Sequence, residues 1–267
     1  MIARLLQVLK DRQKKQAMTD ASYWDGRAQT RTGFARSVWH SETFSRVWDE
    51  RQQDLLRDAL GDRLGTIAGK RIADVGCGTG RVTRFLAASG ARAVGFDFSP
   101  ETVRAAREES AAVIPATGGS ASFVVSDVTT GKLDAEAASF DAALTVGCLA
   151  VACRDLPSLQ RSFRAIHDVV KIGAPVLVLE PIHTSKLLGR VLRAPASDWL
   201  AAAARAGLLS AGESSMGFVP MRLALSSLDL PEWLVRPAFS LGERALDRYP
   251  LLDRASDYRL LVLRRES

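Results

Sequence analysis

The spacing of apolar positions in this chain changes at about residue 70. Before that point apolar residues fall at helical intervals among polar ones. Ile2, Leu5, Leu6 and Leu9 open the chain in this way and run into Lys10, Arg12, Lys14 and Lys15. The basic residues follow the apolar stretch instead of preceding it, which argues against a signal peptide. A basic amphipathic start of this kind fits packing on its own domain, or a peripheral contact of residues 1–15 with an anionic membrane surface. Aromatic residues then gather at Tyr23, Trp24, Trp39, Phe44 and Trp48, with His40 among them.

From Lys70 short apolar runs alternate with helical patterns. Arg71–Val75, Ala91–Asp97, Ala121–Val125, Phe140–Val146 and Pro175–Leu179 read as strands. Helices are predicted over Arg81–Ser89, from Ser99-Pro100 onward with Ser as cap and Pro in the first turn, and over Asp155–Lys171. Strands rich in Val, Leu and Ala, each joined by a helix, imply a mostly parallel sheet covered on both sides, a doubly wound α/β fold. From Ser197 the order loosens. A helix from Asp198 stops at Gly207, Pro220, Pro231 and Pro237 break up the chain beyond it, and Tyr258–Leu263 reads as a last strand. The chain thus divides into residues 1–60, a core of 61–183, and a segment 184–267 that carries an insertion and the last strands.

Composition narrows the class without changing this picture. At 267 residues, 47% hydrophobic and 25% charged, the chain is an ordinary globular protein of one elaborated domain. Three cysteines, with no histidine at ligand spacing, make neither a disulfide framework nor a structural zinc site. No apolar stretch reaches the roughly 20 residues that span a bilayer, and a cytoplasmic location is expected. The net charge of +6 rests on 29 Arg and 7 Lys spread along the chain. A dispersed excess points to a soluble surface more than to nucleic acid, which needs a stripe or patch.

The chemistry concentrates in Ala73-Asp-Val-Gly-Cys-Gly-Thr-Gly-Arg81. Glycines at 76, 78 and 80 lie between a strand and a helix, where they permit a tight turn and close approach of a ligand to the backbone. The spacing is neither the dinucleotide fingerprint nor a P-loop. Asp97 closes the second strand about 20 residues on, where a carboxylate can accept from both hydroxyls of a ribose. Asp127 closes the third strand in Ser126-Asp-Val128. Ligands bind at the carboxyl ends of strands in open α/β sheets, so this recurrence points to a site.

Together Asp74-x-Gly76-x-Gly78-x-Gly80, Gly95-Phe-Asp97-Phe-Ser99-Pro100, Ser126-Asp127 and Phe140-Asp-Ala-Ala-Leu resemble a class I S-adenosylmethionine-dependent methyltransferase over residues 70–180. The resemblance implies a seven-stranded sheet with a helical lid before the first strand and a helical insertion before the last. It also implies S-adenosylmethionine as cofactor and S-adenosylhomocysteine as product. The turn that carries Gly76, Cys77, Gly78 and Gly80 would lie against the methionine part, with Asp74 toward its ammonium. Asp97 would hold the ribose and Phe98 would flank the adenine. Asp127 would accept from the adenine amine, with Ser126 and Val128 beside it. Gly147 would pass the sulfonium, and Trp24 and Arg27 would cover the cofactor from the lid. No Asn/Asp-Pro-Pro-Tyr follows the fourth strand, which argues against methylation of DNA bases or of protein glutamine.

A hydroxyl acceptor needs a base, and histidine suits that task. His183, just past Glu180 at the end of the fifth strand, is the candidate general base. Its alternative is a loop histidine that only bonds a neighbour. Glu180 could orient it or cap the turn that follows it, and His167 reads as structural. Cys77, between two glycines, fits a packing role. Met216, Phe218, Met221, Leu223, Trp233, Leu234 and Phe239 could line an acceptor pocket, form a core, or make a dimer contact. The leading expectation is O-methylation of a small or amphipathic metabolite: a sugar, a glycolipid or a polyketide-like compound. The alternatives are an RNA methyltransferase and a non-catalytic S-adenosylmethionine-binding protein.

Overall fold

Strands that are apolar on both faces must lie inside a covered sheet, and Pro175–Glu180 is buried along its whole length. A computed structural model of the chain describes residues 18–30, 41–111, 118–186, 188 and 190–266. Among these residues seven strands form one sheet in the order β3-β2-β1-β4-β5-β7-β6. β1 (Arg71–Val75), β2 (Arg92–Asp97), β3 (Ser120–Val125), β4 (Ala142–Val146) and β5 (Pro175–Glu180) are parallel. β7 (Ser256–Arg265) pairs antiparallel with β5, and β6 (Leu208–Phe218) antiparallel with β7.

The period of two along each strand divides the core into two layers. On one side Val176, Val178, Leu261 and Leu263 meet Phe163 of α6 (Leu156–Val169) and Trp199 of α7 (Ala196–Arg205). On the other, Ile72, Leu144, Leu177, Leu179 and Leu260 meet α2 (Glu42–Leu64), α3 (Arg81–Ala88) and α9 (Glu232–Arg248). α6 begins as its sequence demands: Asp155 and Ser158 form a reciprocal capping box, with a Pro in the first turn. The remaining helices are α1 (Ala21–Thr30), α4 (Pro100–Ala111), α5 (Leu149–Ala152) and α8 (Val219–Leu225).

Two expectations need adjustment. Residues 208–218 form a strand, not loosened chain; Gly212, Gly217 and a bulge between Ser210 and Gly212 break the alternation that would have marked it. The part of residues 1–60 that lies in α2 is more than a cover. α2 buries Phe44, Val47, Trp48, Leu56 and Leu60, and so serves as a layer of the core. Residues 1–15, Trp39 and His40 lie outside the described residues.

Trp48 joins the layers on this side. Its ring lies 5.4 Å from that of Tyr258 on β7 and 5.9 Å from that of Phe239 on α9, with Phe44 at 5.6 Å. Gly217 of β6 lies directly under it, where any Cβ would enter the ring. Trp48→Ala is expected to cost about 3–5 kcal/mol, measured by urea unfolding. A loss below about 1 kcal/mol would mean that the aromatic cluster is not holding α2 to the sheet.

Candidate active site

The sheet reverses its strand order between β1 and β4, so the turns that follow these two strands diverge and leave a crevice. The turn after β1 is the glycine run. Its three glycines all have positive φ, at 74°, 54° and 80°, but they serve different ends. A Cβ on Gly76 would overlap Cys148, and one on Gly80 would lie 2.6 Å from the Phe123 ring. A Cβ on Gly78 would meet nothing within 4 Å. The first and last glycines let the chain pack on itself, and the middle one faces open space.

Asp97 lies beside that space. Its carboxylate accepts from the Gly78 amide at 3.0 Å and from the Ser99 amide at 3.0 Å. Burial pushes its carboxyl up, against the amides of Ser99, Gly78 and Phe98, with Asp25 adding to the rise. Asp74, inside β1, is buried and accepts from the Thr83 hydroxyl at 2.6 Å. Burial lifts it to about 7, with Thr83 opposing and Asp97 assisting. Two carboxylates disfavoured as anions fit a ligand that brings a cation and hydroxyls.

The other predicted positions have local partners of their own. Asp127 accepts from the Thr129 amide and hydroxyl through Oδ1 and so caps a 3₁₀ turn, while no partner of its Oδ2 is present among the described residues. The Ser126 hydroxyl accepts from the Asp134 amide, and Val128 is buried in the core. Phe98 is half-buried. Cys77 is buried, and burial drives its thiol well above its ordinary range, as a packing residue requires. Trp24 donates to the Met18 carbonyl at 2.8 Å, and Arg27 reaches the Tyr23 hydroxyl.

α1 is held to the site by a residue that the sequence did not single out. Asp25 accepts from the Ser99 hydroxyl at 2.5 Å and from the Glu101 amide at 3.3 Å, and so joins the cap of α4 next to Asp97. Nothing in the local sequence separates Asp25 from a surface acid.

The turn after β4 is organised by Glu180. This buried carboxylate accepts from the Thr145 hydroxyl at 3.0 Å and from the amides of Cys148, Leu149 and Ala150 at 2.9, 2.9 and 3.1 Å. Burial pushes it up to about 7 against these four donors. The turn that Glu180 caps is the one after β4, not the one that follows it in the chain. Gly147 precedes the capped turn at φ 64°, and a Cβ there would sit 3.1 Å from the Tyr258 hydroxyl. Tyr258 is buried and pushed up to about 12 by that burial, with Arg190 opposing the rise.

His183 Nε2 lies 2.9 Å from the Asp257 carbonyl oxygen. A carbonyl can only accept, so Nε2 carries the proton and a neutral ring keeps its lone pair on Nδ1. The Asp257 carboxylate is 3.8 Å away and pairs with Arg222 of α8 at 3.0 Å. Burial would raise Asp257, but His183, Arg222 and Arg190 hold it below its usual range. His167 is buried under Gly207 and bonds Asp168, in keeping with a structural role.

Residues 72–173 match the model of a family described as a methyltransferase domain. Over these residues the chain is similar to a methyltransferase domain. A demethylmenaquinone methyltransferase of Tropheryma whipplei (strain Twist) is 32% identical over 137 residues, 51% of this chain and 52% of that protein. The chain thus spans about half the length of the curated relatives it matches. Among solved structures, magnesium protoporphyrin IX methyltransferase from Synechocystis PCC 6803 with bound S-adenosylmethionine aligns at a TM-score of 0.58. It is 15% identical, over 94% of this chain and 95% of that one. The cyclase SpnF aligns at 0.56 with 22% identity, over 80% and 81%. These likenesses establish the methyltransferase fold.

The three glycines of this turn should separate on substitution. Gly76→Ala and Gly80→Ala are expected to lower the melting temperature strongly, because both strain and overlap result. Gly78→Ala should cost only the left-handed backbone term of about 1–2 kcal/mol. Equal losses in all three variants by differential scanning calorimetry would contradict the division of roles.

Proposed function

We propose that this chain transfers a methyl group from S-adenosylmethionine to a hydroxyl of a small or amphipathic metabolite. The observation that carries the reading is the open space over Gly78, bordered by the Asp97 carboxylate and backed by buried Asp74. In this reading the Gly76–Gly80 backbone receives the methionine part and Asp74 faces its ammonium. Asp97 binds the ribose hydroxyls. Phe98 flanks the adenine, with Ser126 and Val128 nearby, and Asp127 offers its Oδ2 to the adenine amine. Gly147 borders the sulfonium, while Trp24 and Arg27 cover the site from α1. When bound, the cofactor supplies an electrophilic methyl group for an in-line displacement.

The protein's own contribution is alignment and removal of a proton. His183 serves as the base: Nε2 stays bonded to the Asp257 carbonyl while Nδ1 takes the proton from the acceptor hydroxyl. Two arginines, Arg190 and Arg222, lie near this rim, and the aromatic pair Tyr258–Trp48 forms its apolar side. The relatives named as demethylmenaquinone methyltransferases support a small-molecule acceptor, whether sugar, glycolipid or polyketide-like, over RNA. Three free cysteines fit a reducing, cytoplasmic setting.

Turnover is tested with isotope-labelled S-adenosylmethionine against sugar, lipid and phenolic acceptors, since the fold also carries a cyclase. Asp97→Ala should lose about 1.5–3 kcal/mol of cofactor affinity by calorimetry; unchanged affinity would contradict its assignment. His183→Gln should slow transfer and leave cofactor affinity alone, and full activity in that variant would exclude His183 as base.

A pH dependence arises from Asp74. Without ligand its carboxyl titrates at about 7, and the cofactor's cation binds the ionised form. Affinity should therefore rise as pH increases through this range, by up to about tenfold per unit, and level off above it. Binding near pH 6 should release protons, read as a buffer-dependent enthalpy. A flat profile without proton release would remove Asp74 from the site.

A further inference from the structure

α9 is apolar on two opposite faces, and the fold uses one. Val235, Phe239, Gly242 and Leu246 are buried against α2 and β6, with Glu243 bonded to Arg51 and to the Gly217 amide. At about 100° per residue, Trp233, Leu234, Pro237 and Leu241 fall within one arc of about 100° on the opposite side. They face solvent, with Trp233 72% and Leu241 55% exposed. Two further residues of the same arc, Arg244 and Arg248, lie toward the helix end. The apolar run continues past it in Tyr249 and in Leu251, which is 92% exposed.

The charges within this arc are of one kind. Among the described residues Arg244, Arg248 and Arg254 make no ion pair, whereas Arg46 and Arg236 are both paired to Glu232. Asp247 projects from the edge outside the arc, and Glu232 is already held by its two arginines. An apolar stripe with Trp at one end and arginines at the other matches a surface that is oily inside and anionic outside. It matches a second copy of the chain poorly. Four side chains on one helix face fall well short of the about 800 Å² that each partner gives to a stable interface.

We propose that the outer face of α9 docks this protein on an anionic lipid surface, with Trp233, Leu234, Pro237 and Leu241 at the acyl boundary and Arg244 and Arg248 at the headgroups. The inner face of the same helix reaches the candidate site through Phe239, Trp48 and Tyr258, whose hydroxyl adjoins Gly147. Docking therefore brings the acceptor rim within one helical layer of the membrane. It deepens the reading of an amphipathic acceptor but does not depend on methyl transfer, so vesicle binding and cofactor binding are measured separately and fail separately.

The full chain is tested by co-sedimentation with vesicles of phosphatidylcholine alone and of phosphatidylcholine mixed with phosphatidylglycerol. Binding is expected only to the anionic vesicles and should weaken as salt rises. The pair Arg244→Glu and Arg248→Glu should lose at least tenfold, since each arginine near such a surface contributes about fivefold. The pair Trp233→Ser and Leu241→Ser should lose as much, with melting temperature and cofactor affinity unchanged. As a check that needs no folded double variant, brominated lipid should quench the wild-type fluorescence and not that of Trp233→Phe. The proposal is overturned if the wild type ignores anionic vesicles, if the variants bind as tightly as the wild type, or if sedimentation velocity shows a dimer that the stripe variants break.

Discussion

A single buried carboxylate organises the floor of the candidate site. Glu180 ends the inner strand β5 and gathers the amides of residues 148–150 together with the Thr145 hydroxyl. A carboxylate out of water persists only where donors converge on it, so the turn after β4 has little freedom to adopt another shape. That turn presses Cys148 against Gly76 of the neighbouring turn and sets Gly147 beside Tyr258. The two turns that flank the switch point are thus fixed against each other, and the crevice between them keeps its form without a ligand. The open face of Gly78 and the acids at its sides follow from this arrangement.

Much of this was legible in the sequence where one residue type has one physical use. Glycines between a strand and a helix announce a tight turn, and the recurrence of Asp97 and Asp127 after successive strands announces the carboxyl edge of a parallel sheet. The five parallel strands and the cap of α6 are written in local pattern. The division of labour among Gly76, Gly78 and Gly80 was not, because it depends on Cys148 and Phe123, which are distant in sequence. Asp25, Thr83 and Tyr258 escaped for the same reason: each acts through a neighbour supplied by another element. β6 escaped because its polar face, two glycines and a bulge hide the period of two.

The roles assigned to charged residues also depend on partners that only the fold supplies. Glu180 has two readings in the sequence, and its four donors give it a third, the cap of the turn after β4. His183 gains a defined proton position from a carbonyl 74 residues away. Asp257, which provides that carbonyl, also anchors α8 through Arg222. The insertion and the rim of the sheet therefore share one buried ion pair, and a change in the acceptor-side helices reaches the histidine through a single residue.

The antiparallel pairing of the last two strands carries a consequence for how this architecture can diversify. Phe218 at the end of β6 lies opposite Ser256 at the start of β7. The intervening chain leaves the sheet and returns at one rung, as the two ends of a cassette. Exchange or lengthening of that cassette would leave every ladder hydrogen bond in place. Selection can remodel that cassette while the glycine turn after β1 and Asp97 at the end of β2, across the sheet, stay unaltered.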